Sequence, residues 1–166
     1  VHKWRSEEHA ILIGTNTAIS DSPKLDVRYW GGEAPVRIVL DQGLRIPSTN
    51  SLFDGNVKTI VCTGISKLEN TNSRENLIFE GIDFSKNVAD EICKVLMKHN
   101  IQSVIIEGGS KTLQTFIDAF LWDEARVLFG DITFGDGVKA PLFLEAIYEE
   151  DDLKGTKLRI YKNLVQ

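Results

Sequence analysis

The segment Ser103-Val104-Ile105-Ile106-Glu107-Gly108-Gly109-Ser110-Lys111-Thr112-Leu113 constrains the fold of this chain more than any other. Val104, Ile105 and Ile106 are an unbroken β-branched run, the pattern of a strand buried on both faces of a largely parallel sheet. A carboxylate and two glycines follow, and then Ser110 is placed to cap a helix. The apolar residues of that helix, Leu113, Phe116, Ile117, Phe120 and Leu121, fall at i, i+3, i+4, i+7 and i+8, one face of an amphipathic cylinder. A strand that passes through glycines into a helix offers unpaired backbone N–H groups, the positive end of the helix dipole and room for an anion to reach the main chain. It is a phosphate-binding geometry, although paired glycines also serve ordinary tight turns.

Two familiar nucleotide signatures are excluded. A Walker loop needs glycines where Ser110 and Ile105 stand, and no G-x-G-x-x-G fingerprint is present. At 166 residues the chain can bury a full core as one domain, and its 42% apolar and 26% charged residues are ordinary for a soluble globular protein. A net charge of -5 argues against a nucleic-acid surface, and no apolar run is long enough for a membrane helix. Cys62 and Cys93 match no C-x-x-C spacing and no signal peptide is present, which points to a reducing, cytoplasmic setting. His2, His9 and His99 share no ligand spacing, so no metal site is expected. Residues 1–9 read as the second part of a helix without an initiating Met, as in a piece of a longer protein.

Along the chain, buried strands are expected at 10–14, 36–40 and 57–62, each with a polar exit: Thr15-Asn16-Thr17, Asp41-Gln42-Gly43 and Thr63-Gly64. Ser20-Asp21-Ser22-Pro23 is a turn or cap cluster, and 68–76 is a polar surface connection. A short edge strand at 77–79 leads to a crossover helix at 88–99, acidic early and basic late as the helix dipole favours. A strand at 125–129, a turn at Phe134-Gly135-Asp136-Gly137 and an alternating strand at 157–164, entered through Gly155, imply antiparallel strands at the sheet edge. In open α/β sheets ligands sit outside the carboxyl ends of the strands, so the polar exits should converge on one crevice.

Three segments together resemble a known family: Arg5 with Ala10-Ile11-Leu12-Ile13-Gly14-Thr15-Asn16-Thr17 and Asp21-Ser22-Pro23-Lys24-Leu25-Asp26-Val27-Arg28, then Pro35-Val36-Arg37-Ile38-Val39-Leu40-Asp41, then Ile106-Glu107-Gly108-Gly109. They look like the riboflavin biosynthesis reductase domain, the carboxy-terminal half of the bifunctional riboflavin deaminase/reductase. The resemblance implies an α/β, dihydrofolate reductase-like fold: a mixed, mostly parallel sheet flanked by helices, with antiparallel C-terminal strands. Residues 1–166 would be a single reductase-like domain lacking its N-terminal strand, because the family's Ser-Leu-Asp-Gly-like segment and Lys ahead of the first helix are not in this sequence. A fused N-terminal zinc deaminase domain, absent here, and a homodimer are the implied partners. The implied reaction is NADPH-dependent reduction of 5-amino-6-(5-phosphoribosylamino)uracil, a phosphorylated pyrimidine, to its ribitylamino product.

By the same resemblance Thr17 and Asp21 contact NADPH, and Gly109, Ser110, Lys111, Thr112, Leu113, Gln114 and Thr115 form its pyrophosphate turn and helix start. Arg5, Leu25, Arg28 and Glu107 match substrate positions. Two arginines suit a phosphate, through paired charge-assisted hydrogen bonds. Glu107, at the end of a buried strand, is suited to accept hydrogen bonds from a pyrimidine or ribose, or alternatively to make a local salt bridge. Gln42, with Arg45 and Thr63, follows strands where an adenosine ribose and its 2′-phosphate would lie. No catalytic proton donor is assigned. Against these readings stand simple caps for Thr17 and Asp21 and solvated surface roles for Arg5 and Arg28. Another dihydrofolate reductase-like pterin or pyrimidine reductase, or a non-catalytic nucleotide-binding or dimerisation domain, are the competing functions.

Overall fold

The computed structural model describes residues 1–132, 135–142, 148–153 and 155–163. The chain divides into two compact units, Val1–Leu113 and Gln114–Gln166. In the first, β1 (Ala10–Gly14), β2 (Val36–Leu40), β3 (Thr59–Gly64), β4 (Leu77–Ile82) and β5 (Val104–Ile106) form one sheet in the order β4-β3-β2-β1-β5, and every pairing is parallel. Both faces are covered, as parallel sheets require. Ile11, Ile13, Val39, Val61 and Leu77 pack on one face with Ala18, Leu25, Ile46 and Leu52, while Ala10, Leu12, Ile38, Ile60 and Cys62 of the other face are equally buried.

Among the described residues four α-helices accompany the strands: α1 (His2–Glu7), α2 (Thr15–Asp21), α3 (Val88–Lys98) and α4 (Ser110–Asp118). The expected crossover helix is α3: Asn87 accepts hydrogen bonds from the Ala89 and Asp90 amides, and Ala89, Ile92, Val95 and Leu96 are its buried stripe. It ends with Asn100 at φ 56°, where Asn100 N–H bonds Met97 O and Ile101 N–H bonds Leu96 O, a Schellman motif. The boundary between the compact units falls inside α4.

Several elements differ from the sequence expectation. The 15–21 segment is a helix, and the 68–76 connection begins as a 3-10 helix over Ile65–Asn70. The edge strand β4 runs on through Gly81 to Ile82. Val104, Ile105 and Ile106 are half-buried rather than buried on both faces, because β5 pairs only with β1 and leaves its other edge open among the described residues. Ser110 does not cap α4; it is the first helical residue, and Gly109 at φ 72° precedes it. The helix also stops before Phe120 and Leu121. Phe120, at φ 55°, donates to Ile117 O, and Leu121 donates to Phe116 O, so these two residues close a Schellman motif instead of extending the apolar stripe.

The antiparallel strands are not at the edge of the parallel sheet. β6 (Glu124–Phe129), β7 (Tyr148–Leu153) and β8 (Thr156–Lys162) form their own three-stranded sheet, ordered β6-β8-β7, since β6 finds its partner in β8. Gly155, at φ 92°, makes the β7–β8 turn. The Arg159 guanidinium lies 4.6 Å from the ring centroids of both Phe129 and Tyr148 and 2.8 Å from Glu150, joining the three strands on one face. Phe134 of the expected turn and Leu164 of the expected strand lie outside the described residues.

Candidate active site

The five parallel strands end at one rim of the sheet, and hydrogen bonds tie together the exits of β1, β2, β3 and β5. Thr15 Oγ1 donates to Leu40 O at 2.5 Å, joining the ends of β1 and β2. Gln42 O accepts from Thr63 Oγ1 at 3.3 Å and from Gly64 N at 3.1 Å, joining β2 to β3. Glu107 N–H donates to Leu12 O at 3.1 Å, extending the β1–β5 ladder one residue beyond the strand. The loop after β2 is folded by Asp41, whose two carboxylate oxygens take the Arg45 and Ile46 amides at 2.9 Å each.

The Gly108-Gly109 turn is forced by crowding. A Cβ on Gly108 would lie 2.6 Å from Ile13 Cβ, inside the core strand, and one on Gly14 would lie 2.5 Å from Thr112 Oγ1. These glycines let the first turn of α4 approach the β1–α2 junction. Gly109 needs its freedom for two reasons: φ is 72°, and a Cβ there would sit 3.2 Å from Thr17 Oγ1. Leu113 N–H returns to Gly109 O to close the first turn of α4, as at any helix start where the preceding amides lack an intrahelical acceptor. Thr17 is thus brought to the glycine turn, and Asp21, four residues on, shares its face of α2 and has no side-chain partner among the described residues. This is a cradle whose protein side is filled and whose backbone is exposed at Gly109, a form that fits the diphosphate of a dinucleotide.

Along α4 the expected ligand residues diverge. Ser110, Lys111 and Thr112 form the first turn; Thr112 is buried against Gly14, and Leu113 is half-buried. Gln114 is committed elsewhere: its amide holds both the N–H and the C=O of Leu142, at 2.8 and 2.9 Å, and Asp118 at 2.7 Å. Thr115 follows it on the helix, half-buried. The side chain of Gln42 is exposed at the rim, that of Thr63 is fully buried, and Arg45 donates to Asn16 Oδ1 at 3.1 Å.

The second cluster joins residues that the sequence treats separately. Arg5 of α1 and Glu107 form a two-pronged fork, Nε to Oε1 at 2.7 Å and Nη2 to Oε2 at 2.6 Å, with side chains 13% and 21% exposed. The bond to Glu107 raises the Arg5 pKa further above its ordinary value against the opposing effect of burial. Arg5 Nη1 also donates to Asp26 O at 3.2 Å. Arg28 Nε lies 2.9 Å from Asp26 Oδ1, close enough for an ion pair but without hydrogen-bond geometry, so that buried oxygen has no hydrogen bond. Leu25 is different: its side chain is in the core, and its backbone turns at φ 50°, which swings Asp26 and Arg28 toward α1.

Two members were not legible in the sequence. His2 Nδ1 lies 3.1 Å from Asp26 O and 3.3 Å from Arg28 N, and Asp26 is the hub to which Arg5, His2 and Arg28 all turn. His2 stands 24 and 26 residues from its partners, on a helix too short to show a face, and Asp26 stands 21 residues from Arg5 in an irregular segment, so no periodicity connects them. A separate cleft of about 430 Å³ opens between the loop after β2 and the outer strands, lined by Leu44, Phe53, Val61, Arg74 and Phe79. Of the strand-exit residues only Asp41 reaches it, and its carboxylate is occupied by the loop. Among the described residues no three of His, Cys, Asp and Glu gather as a metal set, and no helix is long and apolar enough to cross a membrane.

Residues 1–162 match the family described as the RibD C-terminal domain. The chain is 34% identical over 169 residues to a riboflavin biosynthesis protein RibD of Aquifex aeolicus, covering 96% of this chain and 45% of that protein. It is 25% identical to a 2,5-diamino-6-ribosylamino-4(3H)-pyrimidinone 5′-phosphate reductase of Archaeoglobus fulgidus, over 81% of this chain and 67% of the relative. In structure it is similar to a deaminase/5-amino-6-(5-phosphoribosylamino)uracil reductase of Thermotoga maritima, with a TM-score of 0.81 at 24% identity, covering 98% of this chain and 47% of that one. The chain thus spans under half the length of the RibD proteins it matches. The match over nearly every residue, on the parallel sheet with its Glu107-Gly108-Gly109 exit, places this chain in the RibD C-terminal domain family.

Proposed function

We propose that this chain catalyses the NADPH-dependent reduction of 5-amino-6-(5-phosphoribosylamino)uracil to the ribitylamino product in riboflavin biosynthesis. The observation that carries the reading is the adjacency of two unlike anchors on one strand exit. Glu107 is held by Arg5, and Gly109, two residues on, presents open backbone beside Thr17. A carboxylate has about four lone-pair directions, and the Arg5 fork uses two of them. The remaining two accept N–H or O–H groups of the base or ribose, in an orientation that Arg5 fixes. Arg28, half of whose side chain is exposed, supplies the terminal N–H groups for the phosphate.

NADPH, when bound, supplies the hydride that reaches C1′ of the sugar. Gly109, Ser110 and the α4 start receive its diphosphate, with Thr17 and Asp21 alongside. For the 2′-phosphate that separates NADPH from NADH, Arg45 and Lys67 are the cations at the β2 and β3 exits, and Lys67 has no ion pair among the described residues. The test is oxidation of NADPH followed by absorbance. Turnover with the phosphoribosylaminouracil but not with dihydrofolate supports the reading. Preference for the 2,5-diamino pyrimidinone phosphate redirects the substrate, and hydride transfer to neither phosphorylated pyrimidine refutes the reductase.

Residues 1–166 make one reductase domain, and the open edge of β5 is where an additional N-terminal strand pairs, a relation testable by adding upstream sequence and measuring the gain in stability. A homodimer is supported by β7, exposed along its whole length at a sheet edge with Tyr148 and Leu153; sedimentation measures it. A reducing cytoplasm suits the two free thiols, of which Cys62 is pushed up to about 12 by burial.

A further inference from the structure

The segment 26–32 crosses α1 as a strap. Its contacts run along that helix: Asp26 O with Arg5 and His2, Arg28 N with His2 Nδ1, the Trp30 ring centroid 5.9 Å from Lys3 Nζ, and Gly32, at φ 131°, against Ser6, where a Cβ would come within 2.9 Å of Ser6 Cβ. The strap therefore has a fixed seat directly beside the Arg5–Glu107 fork. What it does with its aromatic residues is unusual: Tyr29 is 78% exposed and Trp30 55% exposed, although large rings are normally covered. The Tyr29 ring meets His2 edge-on at 5.0 Å between centroids, and the Arg28 guanidinium lies 5.8 Å from its centroid.

We propose that Tyr29 is a substrate-positioning residue that stacks on the pyrimidine ring, with Trp30 as the adjoining apolar wall. This rests on the reductase reading above and deepens it. Three features of the strap match one ligand. An exposed aromatic face suits a planar heterocycle. The neighbouring Arg28 suits its phosphate. The buried Asp26 Oδ1, which has a charge beside it but no hydrogen bond, is completed by an N–H or O–H group when Arg28 turns to the phosphate. Tyr29 sits on His2 and Arg28, and His2 shares the Asp26 carbonyl with Arg5, so the ring is tied through that carbonyl to the helix that holds Glu107.

The experiment compares the wild-type chain with Tyr29→Ala and Tyr29→Phe, at saturating NADPH, with 5-amino-6-(5-phosphoribosylamino)uracil as the titrant. Turnover is followed under these conditions, and equilibrium binding is followed with NADP+ in place of NADPH, so that no hydride is transferred, by quenching of tryptophan fluorescence. Loss of a base-stacking ring weakens binding by roughly 5- to 150-fold. Tyr29→Ala is therefore expected to raise the substrate KM and Kd at least tenfold with kcat nearly unchanged, Tyr29→Phe to recover most of the loss, and NADPH affinity to stay within twofold. If wild type binds the pyrimidine and Tyr29→Ala binds it equally well, the strap proposal is overturned while the reductase reading stands. Equal losses for pyrimidine and NADPH also overturn it, since they report a disturbed fold. If wild type neither binds nor reduces the pyrimidine, both readings fall together.

Discussion

Replacing Glu107 by Gln tests whether the fork that organises the site is a folded-state interaction or a solvated contact. In the wild type Glu107 takes two charge-assisted bonds from Arg5, at 2.7 and 2.6 Å, with both side chains largely shielded. Gln retains an acceptor for one prong but sets an NH₂ donor against the other and leaves the guanidinium without its counter-charge. A hydrogen bond to a charged group contributes about 1.5–3 kcal/mol, and removing one partner of a fully buried pair costs about 3–5 kcal/mol. Because water still reaches both partners, the expected loss is about 2 kcal/mol, roughly 30-fold in the folded to unfolded ratio. Urea denaturation followed by circular dichroism should show a midpoint lower by about 1 M at an unchanged slope. Arg5→Gln should cost a similar amount, and the double variant much less than the sum, because the pair shares one interaction. Strictly additive losses, or a single-variant midpoint within error of wild type, would refute the fork as a stabilising unit. The same Glu107→Gln protein should lose far more substrate use than NADPH affinity; equal losses would assign Glu107 a structural role alone.

Gly109→Ala, at φ 72° and with its new methyl 3.2 Å from Thr17 Oγ1, should cost about 1–2 kcal/mol and weaken NADPH binding at least tenfold by calorimetry; unchanged affinity would remove the glycine turn from the cofactor site. Asp54→Ala deprives Arg37, 2% exposed and already lacking a partner for Nε, of its 2.9 Å ion pair, and should destabilise by about 3 kcal/mol in urea. A loss under about 1 kcal/mol would mean that backbone carbonyls such as Ser51 O suffice for Arg37. Glu80 supplies the pH test. Burial pushes its pKa up, but the hydrogen bonds from Lys98 and His99 outweigh this, so the folded value lies below the ordinary 4.5. Its stabilising effect is complete above 4.5 and is lost as pH falls through the lower folded value, so the urea-midpoint gap between wild type and Glu80→Gln should close on acidification below that range. A gap independent of pH would refute the charged interaction.

Much of the parallel unit was legible because its signals are local. The short, mostly β-branched runs Ala10-Ile11-Leu12-Ile13 and Val36 to Leu40, each bounded by polar or turn residues, read as interior strands, and 88–99 carries its own cap, dipole pattern and stripe. The strand–Gly-Gly–helix junction was equally legible, since only a residue without Cβ fits beside Ile13 and a glycine adopts the Gly109 backbone without strain. The stripe that pointed to helix as far as Leu121 misled because a Schellman closure uses apolar residues at the same spacing, with Phe120 in a conformation that usually signals glycine.

What the sequence determined by itself was therefore the periodic and steric content: parallel strands, crossover helix, glycine turn and the polar character of the strand exits. Only the tertiary structure decided who meets whom. It bound Arg5 to Glu107 across 102 residues of chain, made Asp26 the hub of His2, Arg5 and Arg28, buried Leu25 while turning its backbone toward the site, and left Tyr29 and Trp30 uncovered. The reason is physical: helical and strand periods repeat over a few residues and leave a trace in sequence order, whereas ion pairs and exposure depend on distances between segments, which exist only after the sheet has set them.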